Sequence, residues 1–312
     1  MHRPDVLVLG AGGTIGAAWM GGVLAGIAER TGIDFAACER IVGTSAGAML
    51  AADLLAGIEP RAVQQAGPAN GAAPLPGEDE AASALLVAAG VSAAAEPDGN
   101  GRLRERAARV GAGVASAAGG SLAPIALSLG RAPGALVRAA ALARIEQPTR
   151  ALDDLGARIA RHDLRWDGRL RVVCVERARG RRVVFGAPGA PSATIAEAVQ
   201  ASCSIPWIYR AVRIGANEYV DGAVWSPTNM DATPAGRETH LLCLAPMGGQ
   251  LGTRERSSAV RTATTAAIRL ETLALRRHGV HVTVVVPQLV DPAEHARVAG
   301  LRQGRVLSAA RA

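Results

Sequence analysis

The chain of 312 residues contains no lysine, so all 34 of its basic residues are arginine. That absence removes several chemistries at once. A Walker-type phosphate loop needs its lysine, pyridoxal phosphate needs a Schiff-base lysine, and short-chain dehydrogenases need a Tyr-x-x-x-Lys pair. Aromatic residues make up only 3% of the chain. The arginine clusters "RLRERAAR" (102–109) and "RARGRR" (177–182) therefore lack interleaved rings on which bases could stack. The net charge of +7 reads first as solvated faces and second as contact with anionic lipid, with no nucleic acid as partner. Cysteine is scarce as well. Cys38, Cys174, Cys203 and Cys243 show no C-x-x-C spacing, which argues against zinc and against disulfides. The opening "MHRPDVLVLG" runs into a strand pattern without the regions of a signal peptide. The expectation is a cytoplasmic protein, with peripheral membrane contact left open and neither metal nor organic cofactor.

What is present is a hydrophobic content of 49%, dominated by alanine with abundant glycine, enough for one large α/β domain over 1–312. The pattern predicts a strand over 5–10, a small-residue helix near 16–30, a strand at "RIVG" (40–43) and a helix over 46–57. Two β-turn-α units in succession begin a parallel sheet. Residues 60–165 read as an Ala/Gly-rich insertion or cap. Within it, the uncharged stretch 110–130 is long enough to span a bilayer, but five glycines, three serines and a proline make it a poor transmembrane helix, and a flexible apolar cap is the favoured reading. Helices are expected at 134–145 and 148–162, strands at 170–176 and 182–186, and a helix near 194–202. A hairpin at "VRIGANEYVDGAV", buried parallel strands at 240–246 and 280–287, a long helix at about 253–277 between them and a helix from Pro292 complete the pattern.

Three segments carry chemistry. In "RIVGTSAGAML" (40–50), Ser45 sits between Gly43 and Gly47 where a strand meets a helix. Glycine there lets neighbouring backbone pass, and unpaired N–H groups at the helix start favour developing negative charge. "GAGGTIG" (10–16) directly follows the first strand, and its bare backbone N–H groups can hold an oxyanion. A dinucleotide loop is the rival, since Gly10, Gly13 and Gly16 fit a G-x-x-G-x-x-G spacing. It fails on partners, for no acidic residue ends the second strand and Arg213 stands where a lysine would follow Tyr209. "YVDGAVWSPTN" (219–229) places Asp221 at a strand end, although Asp-Gly alone is also a favoured hairpin turn.

Together these segments, with "ASCSIP" (201–206), resemble the patatin-like phospholipase family. The glycine loop is similar to the family's oxyanion loop, Gly43–Gly47 to its nucleophile elbow, and Asp221, Gly222 and Ala223 to its D-G-[GA]. The resemblance implies a three-layer α/β/α sandwich with a mainly parallel central sheet. It also implies a Ser-Asp dyad in which Ser45 is the nucleophile and Asp221 the base, with Gly12 and Gly13 supplying oxyanion N–H groups. Gly10, Gly16, Gly222 and Ala223 then support the loops. The implied activity is hydrolysis of lipid acyl esters through an acyl-enzyme.

Two departures from the family pattern stand out. Ala11 replaces its first loop glycine, and Ile15 occupies the position of its arginine or lysine. The second predicts a preference for neutral or single-chain acyl esters over phospholipids. Two alternatives remain open at this point. One is an α/β-hydrolase triad using His240, His278, His281 or His295, which the early position of Ser45 disfavours. The other is an inert lipid-binding member of the fold.

Overall fold

The computed structural model describes residues 2–60, 132–232, 234–249 and 259–287. Short runs of Val, Leu and Ile form the centre of one sheet: β1 (Val6–Leu9), β2 (Arg40–Gly43) and β3 (Leu170–Glu176). β3 is followed by β4 (Arg181–Phe185), the hairpin β5 (Val212–Ile214) and β6 (Asn217–Asp221), and then β7 (His240–Leu244) and β8 (His281–Val285). Pairing runs β5-β6-β3-β2-β1-β7-β8, with β4 also on β3. The pairs β1–β2, β1–β7, β2–β3 and β7–β8 are parallel, while β3–β4, β3–β6 and β5–β6 are antiparallel.

Period-2 alternation sends β1 side chains to two cores. Leu7 and Leu9 face one layer, formed by α1 (Gly13–Thr31), α2 (Ala46–Leu55), α4 (Asp153–Ala160) and α5 (Ile195–Ser202). Val6 and Val8 face the other, where Ile268 and Leu275 of α6 (Ala259–Arg277) pack. A third cluster, including Leu142 of α3 (Ala132–Arg144), covers Val175 and Val220 near the hairpin. Helices thus lie on both faces of a mixed sheet, the expected three-layer α/β architecture.

The expected helix over 148–162 begins only at Asp153, past Pro148, and α4 closes at Ala160. Of the expected insertion, 61–131 lies outside the described residues, including the 110–130 stretch and the 102–109 cluster, as does the helix from Pro292. The described part, α3 and α4, contributes Leu142 and Ile159 to two different clusters. The arginines of "RARGRR" are largely internally paired: Arg177 with Glu218, Arg179 with Glu176 and Arg182 with Asp231. The four cysteines are buried thiols. Among the described residues no helix is long and apolar enough to cross a membrane, and no group of His, Cys, Asp and Glu could hold a metal.

Candidate active site

The elbow begins where β2 ends. Thr44 N–H still donates to Leu9 O at 3.0 Å, and α2 starts at Ala46. Between them Ser45 takes φ 54°, ψ −122°, a conformation that non-glycine residues rarely adopt and that surrounding structure must enforce. Glycine is obligatory on either side. A Cβ on Gly47 would lie 2.0 Å from Leu9 O, and one on Gly43 would lie 2.5 Å from Ala48 Cα. The Ser45 N–H donates to Ser202 Oγ at 2.9 Å.

Sheet register explains how Asp221 reaches this point. Val172 pairs with Gly43 on one side and Phe185 of β4 on the other, while Cys174 pairs with Asp221 and Val183 of β4. Since β4 fills one edge of β3 from Val172 to Glu176, β2 and β6 share the opposite edge. They arrive from opposite directions and end two residues apart, Gly43 facing Val172 and Asp221 facing Cys174. A residue just beyond each strand end therefore meets its counterpart.

Asp221 is fully buried. Its N–H donates to Ser204 O at 3.0 Å, and its Oδ1 accepts from Ala223 N–H at 2.8 Å, capping a short 3-10 turn over Gly222–Val224. Burial pushes the carboxyl up to about 7, opposed by the Ala223 N–H and the neighbouring Ser45 hydroxyl, both of which favour the charged form. The hydroxyl is thus near enough to be felt, yet Asp221 Oδ2 has no hydrogen-bond partner among the described residues.

The glycine loop lies against the same pair. Gly10 N–H donates to Leu244 O at 3.0 Å and Ala11 N–H to Pro227 O at 2.8 Å, so the loop is pinned to β7 and to the segment that follows Asp221. The N–H groups of Gly12 and Gly13 donate to no backbone carbonyl among the described residues, and neither does that of Ala46. Gly13 opens α1 and Ala46 opens α2, so two helix N-termini present donors without a backbone acceptor among the described residues. Gly16 completes the first turn of α1 through its N–H to Gly12 O, and Gly222 and Ala223 form the turn beneath Asp221. Ile15, on that first turn of α1, is 62% exposed.

The described histidines lie elsewhere. His240 and His281 stack on each other at the starts of β7 and β8, strands that run parallel to β2, so they occupy the end of the sheet opposite Ser45. His278 precedes β8 at that same end, His162 lies near Asp53, and His295 is outside the described residues.

Three neighbours of this pair were not assigned a role from the sequence. Ser202 contacts the Ser45 backbone. Asn229, in the left-handed region at φ 51°, directs Nδ2 to Thr44 Oγ1, Gly222 O and Ser226 O, tying the residue before the serine to the residue after the aspartate. Glu271 of α6 accepts from Ser226 Oγ, from Thr228 Oγ1 at 2.6 Å and from Met230 N–H at 3.1 Å. A signal for Glu271 was present, because it falls with Thr264, Ile268 and Leu275 on one helical stripe, a carboxylate among core positions. Ser202 and Asn229 lie inside segments singled out in the sequence, 201–206 and 219–229, but their roles could not be read there, since their partners lie 157 and 185 residues away.

A family model described as patatin-like phospholipase matches residues 7–233, from β1 through the loop after Asp221. No curated protein matches the chain. Among solved structures, VipD from Legionella pneumophila is 19% identical with a TM-score of 0.41, the alignment covering 93% of this chain and 62% of that one. A structure of full-length SpcU in complex with full-length ExoU, from the type III secretion system of Pseudomonas aeruginosa, is 22% identical with a TM-score of 0.36 and coverages of 94% and 49%. This chain spans less than two-thirds of the length of either.

Proposed function

The chain belongs to the patatin-like phospholipase family, and from that membership we propose a serine acyl hydrolase that cleaves lipid acyl esters with Ser45 and Asp221. The observation that carries the reading is the buried Asp221 carboxyl, raised to about 7 beside the Ser45 hydroxyl and short of one hydrogen bond. A carboxylate with an ordinary pKa is a poor base at neutral pH, and burial brings this one into the useful range.

Ser45 Oγ attacks the ester carbonyl carbon while its proton passes to Asp221. The oxyanion that forms is met by the N–H groups of Gly12, Gly13 and Ala46, which await it at two helix N-termini. Collapse breaks the bond to the alcohol, which leaves with the proton held by Asp221. Water then attacks the acyl-serine, Asp221 takes its proton, and the acid departs as that proton returns to Ser45. Among the described residues, His240, His278 and His281 lie at the far end of the parallel strands from Ser45, which favours this dyad over a triad. The exposed, uncharged Ile15 beside the oxyanion loop favours neutral or single-chain esters over anionic headgroups. Lipid chains reside in assemblies, so peripheral contact with a lipid surface belongs to the same reading, as does a cytoplasmic location without cofactors.

A fluorophosphonate probe and an ester panel of varied acyl length and headgroup test it on wild type and Ser45→Ala. Labelling at Ser45 is expected, with a loss of at least about 10³-fold in kcat in the variant and faster turnover of glycerides than of matched phospholipids. An unlabelled wild type, or a Ser45→Ala enzyme that still turns over, sinks the assignment.

A further inference from the structure

The shared edge of β3 leaves a defect between its two partners. β2 pairs as far as Val172 and β6 resumes at Cys174, so Val173 falls at the change of partner. Its carbonyl would face a break in the ladder with no strand N–H to receive. Ser202, the last residue of α5 and fully buried, fills that break by donating from Oγ to Val173 O at 2.7 Å. A hydroxyl has one hydrogen to give. With that hydrogen committed to Val173, the Ser202 oxygen can only accept, and what it accepts is the Ser45 N–H at 2.9 Å. Two residues later Ser204 O receives the Asp221 N–H at 3.0 Å. The segment 202–204 thus holds the backbones of both halves of the dyad.

We infer that Ser202 is a positioning residue for the nucleophile: its hydroxyl bridges the break in the sheet to the Ser45 amide and holds Ser45 in its strained backbone conformation. The inference rests on the dyad reading. It also fixes what the Ser45 amide does not do. That N–H is already occupied, so it is withdrawn from the oxyanion site, and the donor on the elbow side is Ala46 N–H. α5 is well placed for the task. Its start is locked by a reciprocal pair, Thr194 Oγ1 accepting from Glu197 N–H and Glu197 Oε2 accepting from Thr194 N–H. Gly222 closes the defect from the other side, since a Cβ there would lie 2.3 Å from Val173 O.

Removing the hydroxyl leaves Ser45 N–H and Val173 O buried without partners and lets the elbow relax, so the oxygen nucleophile drifts from its attack position. The experiment measures kcat per active site, counted by fluorophosphonate titration, for wild type, Ser202→Cys and Ser202→Ala on one ester. A role confined to folding lowers the number of titratable sites but leaves kcat per site unchanged. The positioning role predicts a fall in kcat per site of about tenfold to a hundredfold in Ser202→Ala. KM should stay within twofold and the acid limb of the pH profile should not move, because Asp221 is untouched. The near-isosteric Ser202→Cys, a weaker acceptor, should fall between the two, and it carries the test if alanine does not fold. A kcat per site within twofold of wild type in either variant overturns the inference while leaving the dyad intact. A wild type that is not labelled at Ser45 removes the dyad reading itself.

Discussion

Asp221 is fully buried and Glu271 half-buried, desolvation raises both carboxyls, and they flank the same loop. Their hydrogen bonding also differs. Glu271 accepts three donors spread over both oxygens, two hydroxyls and a backbone amide from residues 226–230. Asp221 accepts the Ala223 amide on Oδ1 and leaves Oδ2 without a partner. An upward shift by desolvation is common to both, so the shift alone does not mark the proposed base. What would separate a structural carboxylate from the proposed base is an acceptor left open next to a hydroxyl. Glu271 spends its acceptors bracing the loop, and through Ser226 and Asn229 that brace reaches Thr44 and Gly222.

The largest test of this contrast is Asp221→Asn. An amide cannot take the serine proton, so kcat is expected to fall by about 10³-fold or more. The same change should stabilise the fold at alkaline pH. The unfolded carboxyl ionises near 3.8 and the folded one only near 7, so the folded wild type holds an extra proton in that window and its stability declines as pH rises through it. Asparagine does not titrate. Its advantage over wild type should grow from pH 4 to 7 to on the order of 4 kcal/mol and stay level above. Denaturant melts at pH 4 and pH 8 read this directly, and an equal stability difference at both pH values would contradict the assigned shift.

The next effect is on the rate profile of the wild type. With Asp221 required as its anion, kcat/KM should drop about tenfold per unit below a midpoint near pH 7 and level off above it. A midpoint near 4 would mean that the carboxyl behaves as if solvated.

The smallest effect on activity is expected for Glu271→Gln. One face of the amide offers hydrogens to the fixed Met230 N–H and its neighbouring hydroxyls, so at least one donor loses its acceptor. The cost is about 1–3 kcal/mol, visible as a lowered denaturation midpoint, while kcat falls less than tenfold and the acid limb stays in place. Asp221→Asn thus loses activity and gains stability, whereas Glu271→Gln loses stability and keeps most of its activity. Parallel behaviour of the two variants would erase the distinction.

Much of the site was legible because its requirements are local. Gly43, Ser45 and Gly47 lie within five residues, and the steric demand of a strand-to-helix bend can be read from their order. The same holds for the bare glycines after β1 and for Asp221 at a strand end. Ser202 and Asn229 fall within segments that resemble the family, but their individual roles were not legible, for a serine at a helix end and an asparagine in a turn look like any others until their distant partners are known. The hairpin at 212–221 was anticipated, but not that β6 would take over the edge of β3 that β2 abandons.

The order of residues by itself determined which side chains could do chemistry and which bends the backbone had to make, because sterics and helix-end donors act over a handful of neighbours. Tertiary structure alone decided that two strands would meet head-on along β3. From that meeting follow the closeness of Asp221 to Ser45, the burial that lifts its pKa, and the break that Ser202 fills. Those properties belong to the space between segments more than a hundred residues apart, where the dielectric and the missing hydrogen bonds are set by packing.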